Sequence, residues 1–557
     1  MKKVLTLLFS LSLFLSFARS VSAQNNKFGI HIIDENDLER ASELVNSSGG
    51  KWGYVTIVIR EDERDTVRWQ RVFDHMRRLK LIPIVRLATT VQDGSWRAPT
   101  PEDATNWRVF LDSLNWVTKD RYIIVFNEPN HTHEWGGKIA PEEYALVVRS
   151  FHDELKTSSS DYFILPGALD LAAGNTKDSM APEHFYQKLF AAVPEVFGLF
   201  DGWASHSYAN PGFSGESTDD GKTSVRGYKW ELEFLAEYGL PMDIKVFVTE
   251  TGRRFTGESL SRFFENAYQQ AWNDDQVVAV TPFLLNYVDS PFSQFSWIDP
   301  STGVPREHFV TVQNIPKTEG HPVQIHSYEL IKNTIPKHLV SSSSYSFSIE
   351  LENTGQSIWS DMDGFEIHAA SVFANEVVTT GGIPETEPGE SNLIPIRIQT
   401  NGVTDSHAIT FTLQKDGIVI GEPIVTMVST VAPPALTVHV TPWFGKELTS
   451  DFSKLDFYSL EDSGNLITSV PNFLITEGMG NIDELRDVVP NTEYRIVLTL
   501  PYHSPSEKLV TIKRGENVVD FGRLLPLDLN NDGTLDLKDA ITHWNNPLNT
   551  QMQLLPL

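Results

Sequence analysis

With 557 residues the chain is too long for one hydrophobic core and should divide into about three or four domains. It contains no cysteine, which excludes disulfides and lipid attachment through an N-terminal cysteine and leaves ordinary cores or bound metal to supply stability. A formal net charge of -28 at pH 7 makes nucleic acid and anionic lipid poor partners.

The first segment, residues 1–23, reads as an export signal. Lys2 and Lys3 precede an apolar stretch from Val4 to Phe17, and Val21-Ser22-Ala23 supplies a small-residue cleavage site. That stretch is too short to span a bilayer comfortably and nothing later approaches the required length, so no membrane span is expected. The expected location is outside the cytoplasm, secreted or at the cell surface.

Residues 24–325 alternate β-rich apolar runs with helix-period segments. Eight runs follow in order: 27–33, 53–60, 81–88, 121–127, 162–169, 199–208, 244–250 and 277–287. Between them lie amphipathic stretches such as "DTVRWQRVFDHMRRLK" and "PEEYALVVRSFHDELK", apolar at three- and four-residue spacing. Strands apolar throughout, each followed by a helix, predict a parallel sheet covered by helices, and eight such units predict a (β/α)8 TIM barrel.

Two carboxylates end runs of this barrel. Glu128 closes the fourth in "IIVFNEPN", and Glu250 closes the seventh in "VFVTETG". Glycoside hydrolysis needs one carboxyl group to protonate the departing oxygen and another to attack or to activate water, and in a barrel both belong at the C-terminal strand ends. With these motifs in this order the segment resembles the clan A retaining glycoside hydrolases, with family 5- or 39-like barrels. The resemblance implies that Glu128 is the acid/base, Glu250 the nucleophile and Asn127 the group that hydrogen-bonds the sugar 2-hydroxyl. "WASHSY" is similar to the clan's His-x-Tyr element, which implies that His206 and Tyr208 face the carboxylates. Arg60 and Arg86 end the second and third runs, where a guanidinium would keep Glu250 charged.

Family 5 usually has a His after strand three and a Trp ending strand eight. Here the third run ends "VRLATT", and the eighth continues as "FLLNYVDSPFSQFSW", with Asn286 and Trp297. Trp96, Trp135, Trp203 and Trp297 are candidate sugar platforms, whereas Trp69 and Trp107 should pack helices. "NHTHEW" offers the metal-ligand types His131, His133 and Glu134. Metal-dependent barrel hydrolases usually end their first strand in His-x-His, and this first run has only His31. These histidines are therefore read as subsite or loop residues, and catalysis is expected to need no cofactor.

After residue 325 the texture turns to period-two alternation. Residues 326–432 predict a β-sandwich, and "LENTGQSIW" with "EPGESNLIPIRI" resembles a four-tryptophan Ig-like domain, with Trp359 its evident namesake. Residues 433–525 predict a second β-sandwich, whose C-terminal stretch resembles carboxypeptidase-regulatory-like domains. In 526–557, "DLNNDGTLDLKD" sets Asp528, Asn530, Asp532, Thr534, Asp536 and Asp539 at the ligand spacing of a calcium loop, with Gly533 at the sharp turn. Asp at the twelfth position is similar to dockerin repeats. Dockerins carry two such loops and one is legible here, so a cohesin or other cell-surface partner is expected only if one loop suffices. The whole reads as a secreted retaining glycoside hydrolase cleaving β-linkages of a poly- or oligosaccharide by double displacement, with structural Ca2+ in the C-terminal loop. The alternative is a non-catalytic surface glycan-binding or structural protein.

Overall fold

The computed structural model describes residues 25–254, 257–371, 377–441, 443, 448–460 and 464–545. The export-signal reading of residues 1–23 lies outside these, as do residues 546–557. The chain divides into two compact units after Ile325.

In the first unit, β1 (Gly29–Ile32), β2 (Gly53–Arg60), β3 (Leu81–Ala88), β4 (Arg121–Val125) and β5 (Tyr162–Pro166) form one parallel ladder in that order. A second ladder joins β6 (Gly202–His206), β7 (Lys245–Glu250) and β8 (Val277–Val280). Parallel bridges Phe28–Val280 and Asp170–His206 join the two ladders at both seams, so the sheet closes into the expected barrel. Each of the eight apolar runs yields one strand. Several runs overshoot the ladder, because apolar residues past its last hydrogen bond still pack at the rim; the eighth run reaches 287, yet β8 stops at Val280.

Side chains alternate between the two faces of the sheet. Tyr54, Ile82, Ile84, Tyr122, Ile124 and Phe247 pack together inside the barrel. The outer face meets the helices, among them α1 (Leu38–Val45), α2 (Thr66–Arg78), α3 (Asp103–Asp112), α4 (Pro141–Ser158), α5 (Pro182–Ala192) and α6 (Gly227–Ala236). Trp69 and Trp107 are buried there, as helix-packing residues should be. Each fully buried side chain of this size contributes about 1.5–3 kcal/mol relative to exposure. Among the described residues no helix is long and apolar enough to cross a membrane.

The second unit is β-rich. Two four-stranded sheets face one another across a core containing Ile349, Ile396, Phe411 and Trp359. The strands after Pro434 were expected to form a sandwich of their own. They pair instead into one continuous seven-stranded sheet around a single core of Leu436, Phe457, Ile496 and Val519. The physical reason is the antiparallel pairing of Leu466–Thr476 with Met479–Ile482, which carries the ladder on to Ala435–Thr441 and, in parallel, to the edge strand Glu516–Arg523 in place of leaving them a second sheet. Tyr345 ties the two layers of this unit together: its hydroxyl accepts from Val340 N–H and donates to the Val488 carbonyl at 2.8 Å.

Candidate active site

The inward residues at the C-terminal strand ends meet at one rim. On β3 the inward series Ile82, Ile84 continues to Arg86, and on β6 Ala204 leads to His206. On β7, strict alternation from Phe247 would turn Glu250 outward. A register shift opposite Ser205 and His206 leaves one β7 residue unpaired, so Glu250 pairs with His206 and joins the interior. At the end of β4 the chain turns sharply, with Phe126 at φ 69 and Glu128 at φ 28. Such angles cost non-glycine residues of order 1–3 kcal/mol each and persist only where neighbours fix them. The fixing contacts are Glu128 N–H to the Ala168 carbonyl, 3.1 Å, and the buried Asn130 side chain, which bonds the Asp170 and Met180 backbones.

The two glutamates face each other. One carboxylate oxygen from each and a ring nitrogen of His206 all lie within 4.8 Å of one another. His206 Nδ1 sits 2.8 Å from Glu128 Oε1 and 3.8 Å from Glu250 Oε2. Tyr208 Oη donates to Glu250 Oε2 at 3.0 Å, and Arg86 Nη1 donates to both Glu250 Oε1 and Asn127 Oδ1 at 2.7 Å.

These surroundings push the two acids apart. Burial opposes ionisation of Glu250, but His206, Arg86 and the Tyr208 hydroxyl outweigh it and hold the carboxyl below its ordinary range. For Glu128 burial dominates, the charge of Glu250 adds to it, and the pKa rises despite His206. His206 is raised as well: burial is overcome by the facing carboxylates. Glu128 and His206 thus compete for one proton across a 2.8 Å hydrogen bond while Glu250 stays ionised.

Glu128, Glu250, Asn127, His206, Tyr208 and Arg86 come together as the sequence suggests. Two expected members do not. Arg60 turns away to Asp62, 2.6 Å, and Glu63, 4.0 Å, because these acids follow it immediately in the chain, and Arg86 alone of the two serves Glu250. Trp297 is no platform: it is 1 % exposed and packs on Phe264 and His308. Trp135 and Trp203 are likewise buried, and of the four candidates Trp96 alone stays half-exposed. His31 was overlooked as a site residue. Fully buried on β1, with Nε2 3.8 Å from Glu250 Oε1, its pKa is pushed down to about 3, mainly by burial and then by Arg86, so it is neutral. The signal was a histidine inside an otherwise apolar run. His131 pairs with Asp170 at 3.0 Å and His133 with Glu134 at 3.2 Å, so the "NHTHEW" histidines face two different acids.

Among the described residues, Glu128, His206 and Glu250 are the one group of His, Asp and Glu close enough to share a metal ion. Their charge is already met by Arg86 and by the proton held between Glu128 and His206, which suits the trio to proton transfer. The C-terminal loop is a separate matter. Gly533 has φ 86, and the helix Leu537–Asn545 starts at the tenth loop position counted from Asp528, as in a calcium loop. Asp539, buried, accepts from the Leu529, Asn530 and Asp536 N–H groups, and Asp528, also buried, accepts from Asp532 and Gly533. Lys538 lies 3.2 Å from Asp532 and 3.6 Å from Asp536. The donor set is all oxygen and fits a hard cation, although in this geometry two of its carboxylates satisfy the loop's own N–H groups.

No protein-family model matches the sequence, and no curated protein does. Solved structures do resemble it. An endo-β-1,4-glucanase from Xanthomonas axonopodis pv. citri aligns over 52 % of this chain and 98 % of its own at 13 % identity and TM-score 0.36. A β-mannanase from Thermomonospora fusca aligns over 52 % and 88 % at 12 % identity and TM-score 0.35. A cell-surface chitinase from Paenibacillus sp. str. FPU-7 aligns over 75 % and 58 % at 11 % identity and TM-score 0.31. At these identities and scores the likeness assigns neither activity nor substrate, and the functional reading stands on the rim geometry alone.

Proposed function

We propose that this chain is a retaining glycoside hydrolase acting on β-linkages of a poly- or oligosaccharide. The observation that carries the reading is the pair Glu128 and Glu250, with oxygens within 4.8 Å at the C-terminal rim of a (β/α)8 barrel and pKa values driven in opposite directions. A covalent route calls for carboxyls about 5–5.5 Å apart, whereas room for an attacking water calls for about 6.5–9.5 Å.

In this reading Glu250, held ionised by Arg86 and Tyr208, attacks the anomeric carbon. The proton shared by Glu128 and His206 passes through Glu128 to the departing oxygen. Glu128, now a carboxylate, then takes a proton from the water that opens the glycosyl ester. Asn127, fixed by Arg86, is the group proposed to bond the sugar 2-hydroxyl. Further parts of the proposal are export, and calcium held by Asp528, Asn530, Asp532, Thr534, Asp536 and Asp539 as a structural ion remote from the chemistry. The ligand spacing of the loop and the helix start support the latter.

The decisive experiment uses aryl β-glycosides. Glu250→Ala should lose at least about 10⁴-fold in kcat, and added azide should restore turnover with a glycosyl azide of inverted configuration. Undiminished turnover in that variant, or no turnover by wild type across a broad panel, would leave the glycan-binding alternative.

A further inference from the structure

Beside the carboxylate pair lies an open, shallow recess, lined by Arg86, Trp96, Pro99, Phe126, Asn127 and Glu134 among others. Arg86 and Asn127 belong to the acid cluster, so whatever fills the recess abuts the reacting bond. Trp96 of that lining ends a hairpin, Val91–Gln92 paired with Ser95–Trp96 across Asp93-Gly94, both at positive φ as a tight hairpin turn requires. The hairpin is pinned. Arg97 pairs with Glu61 and, at 3.0 Å, with Asp103, and the Trp96 carbonyl accepts from Gly136 N–H at 2.8 Å. Trp96 is therefore held as a half-exposed ring on a rigid support.

Glu134 supplies the polar counterpart. It ends the turn Thr132–Glu134, and the next residue, Trp135, is driven wholly into the core against Phe126 and Tyr144. This wedge fixes Glu134 at the recess, its side chain 11 % exposed, with the outlying His133 imidazole as its neighbour at 3.2 Å. An ionised carboxylate accepts hydrogen bonds and donates none. Paired with an aromatic face it suits a flat, partly apolar ring that carries donors; Arg86, the cation of the lining, is already held by Glu250 at 2.7 Å, so the charge left to meet an anion is that of Glu134, which repels it.

Resting on the glycosidase reading above, we infer that this recess is a sugar subsite selected by Trp96 and Glu134. It takes a pyranose presenting hydroxyl or ammonium donors and rejects one bearing a carboxylate. Trp96 stacks on the ring's apolar face, and Glu134 bonds its donors. Glu134 is thus a specificity-determining residue, and substrates carrying uronic acid beside the scissile bond are excluded.

Calorimetry on the full chain carrying Glu250→Ala tests this through binding alone, so its failure is separate from failure of the catalytic reading, which aryl glycoside turnover reports. The probes are tetrasaccharides of neutral hexose, of glucosamine and of uronic acid. At least one of the first two should bind, and the uronic tetramer at least about tenfold more weakly. Adding Glu134→Gln, which keeps shape and removes charge, should shrink that gap severalfold, and preferential loss of glucosamine binding would mark the ammonium as the favoured donor. Adding Trp96→Ala should weaken every binder by about tenfold. Uronic binding equal to or tighter than the others, no binding by any of the three, or a gap untouched by Glu134→Gln would overturn the inference.

Discussion

At the scale of single residues, the site divides by which neighbour captures each charge. Arg60 and Arg86 both end barrel strands and were equivalent as sequence, yet Asp62 and Glu63 hold the first while Glu250 and Asn127 hold the second. The difference yields a pH test. Glu250 must be ionised to attack; its pKa is depressed, so activity is lost as pH falls through that value. Glu128 must carry its proton; its pKa is raised, so activity is lost as pH rises through that value. Arg86→Ala removes a cation that favours the Glu250 anion, so the acidic limb should move to higher pH and kcat/KM should fall about 10²-fold or more. Arg60→Ala should stay within a few-fold of wild type, limbs unmoved. An acidic limb that stays in place in Arg86→Ala would refute the assignment of Arg86. The glutamates, Asn127, His206 and Tyr208 were legible because strand ends and short motifs mark them. Trp297 was misread because the hydrophobicity that suits a sugar platform suits a core equally, and one sequence does not tell which face a loop tryptophan turns.

At the scale of elements, β6 shows how the wall behind the site is built. His206 and Tyr208 face the carboxylates, so the alternating Ser205 and Ser207 face the helices. There Glu231 of α6, fully buried, accepts from Ser205 and from Tyr186 of α5, while Ser207 accepts from Tyr228 N–H at 3.0 Å. Burial pushes the Glu231 carboxyl up to about 7 from an ordinary 4.5. In the unfolded chain the group ionises near 4.5, so between 4.5 and about 7 the folded state binds the extra proton and stability falls as pH rises. Over that window wild type should lose about 3 kcal/mol relative to Glu231→Gln, as read from denaturant unfolding at a series of pH values. Parallel curves for the two proteins would show that Glu231 does not titrate this way. This cluster was not legible beforehand: a lone glutamate on a helix face reads as solvated. The β7 register shift was hidden too, since it depends on pairing with β6 and leaves no mark in "KVFVTE". The strands themselves were legible, because runs buried on both faces are apolar throughout.

At the scale of the whole molecule, every side chain of the proposed chemistry belongs to the first compact unit. A protein ending after residue 325 should keep its activity on aryl glycosides within a few-fold. The C-terminal acidic loop proposed to hold calcium belongs to the second unit, where Asn531 Oδ1 accepts from Tyr502 N–H at 2.7 Å and the Leu527 N–H bonds the Tyr502 carbonyl at 3.0 Å, at the start of an outer strand of the seven-stranded sheet. Chelation should therefore make residues 526–545 protease-sensitive, and calcium should raise the melting temperature of the second unit modestly, with barrel turnover unchanged. Equal calcium binding by wild type and Asp532→Ala in calorimetry would reduce the loop to an acidic turn. The turn at Gly533 and the helix after it were legible from spacing; the continuous sheet was not, because the short pairing of Leu466–Thr476 with Met479–Ile482 that joins its halves leaves no period-two signal of its own.

The backbone of Glu128, at φ 28, has a practical consequence for anyone breeding this protein for heat tolerance. Glycine would accept that angle without steric strain and would also remove a carboxyl that burial disfavours; its chain entropy and the lost 2.8 Å bond to His206 offset part of this, so Glu128→Gly should unfold at a temperature a few degrees above wild type, a gain of about 1 kcal/mol. It should also be inert on unactivated glycosides, since nothing would then protonate the departing oxygen. Selection on thermal endurance alone would thus enrich catalytic cripples, and any such campaign needs turnover scored in the same round. A Glu128→Gly protein melting below wild type would show that the turn is held for reasons other than the acid it carries.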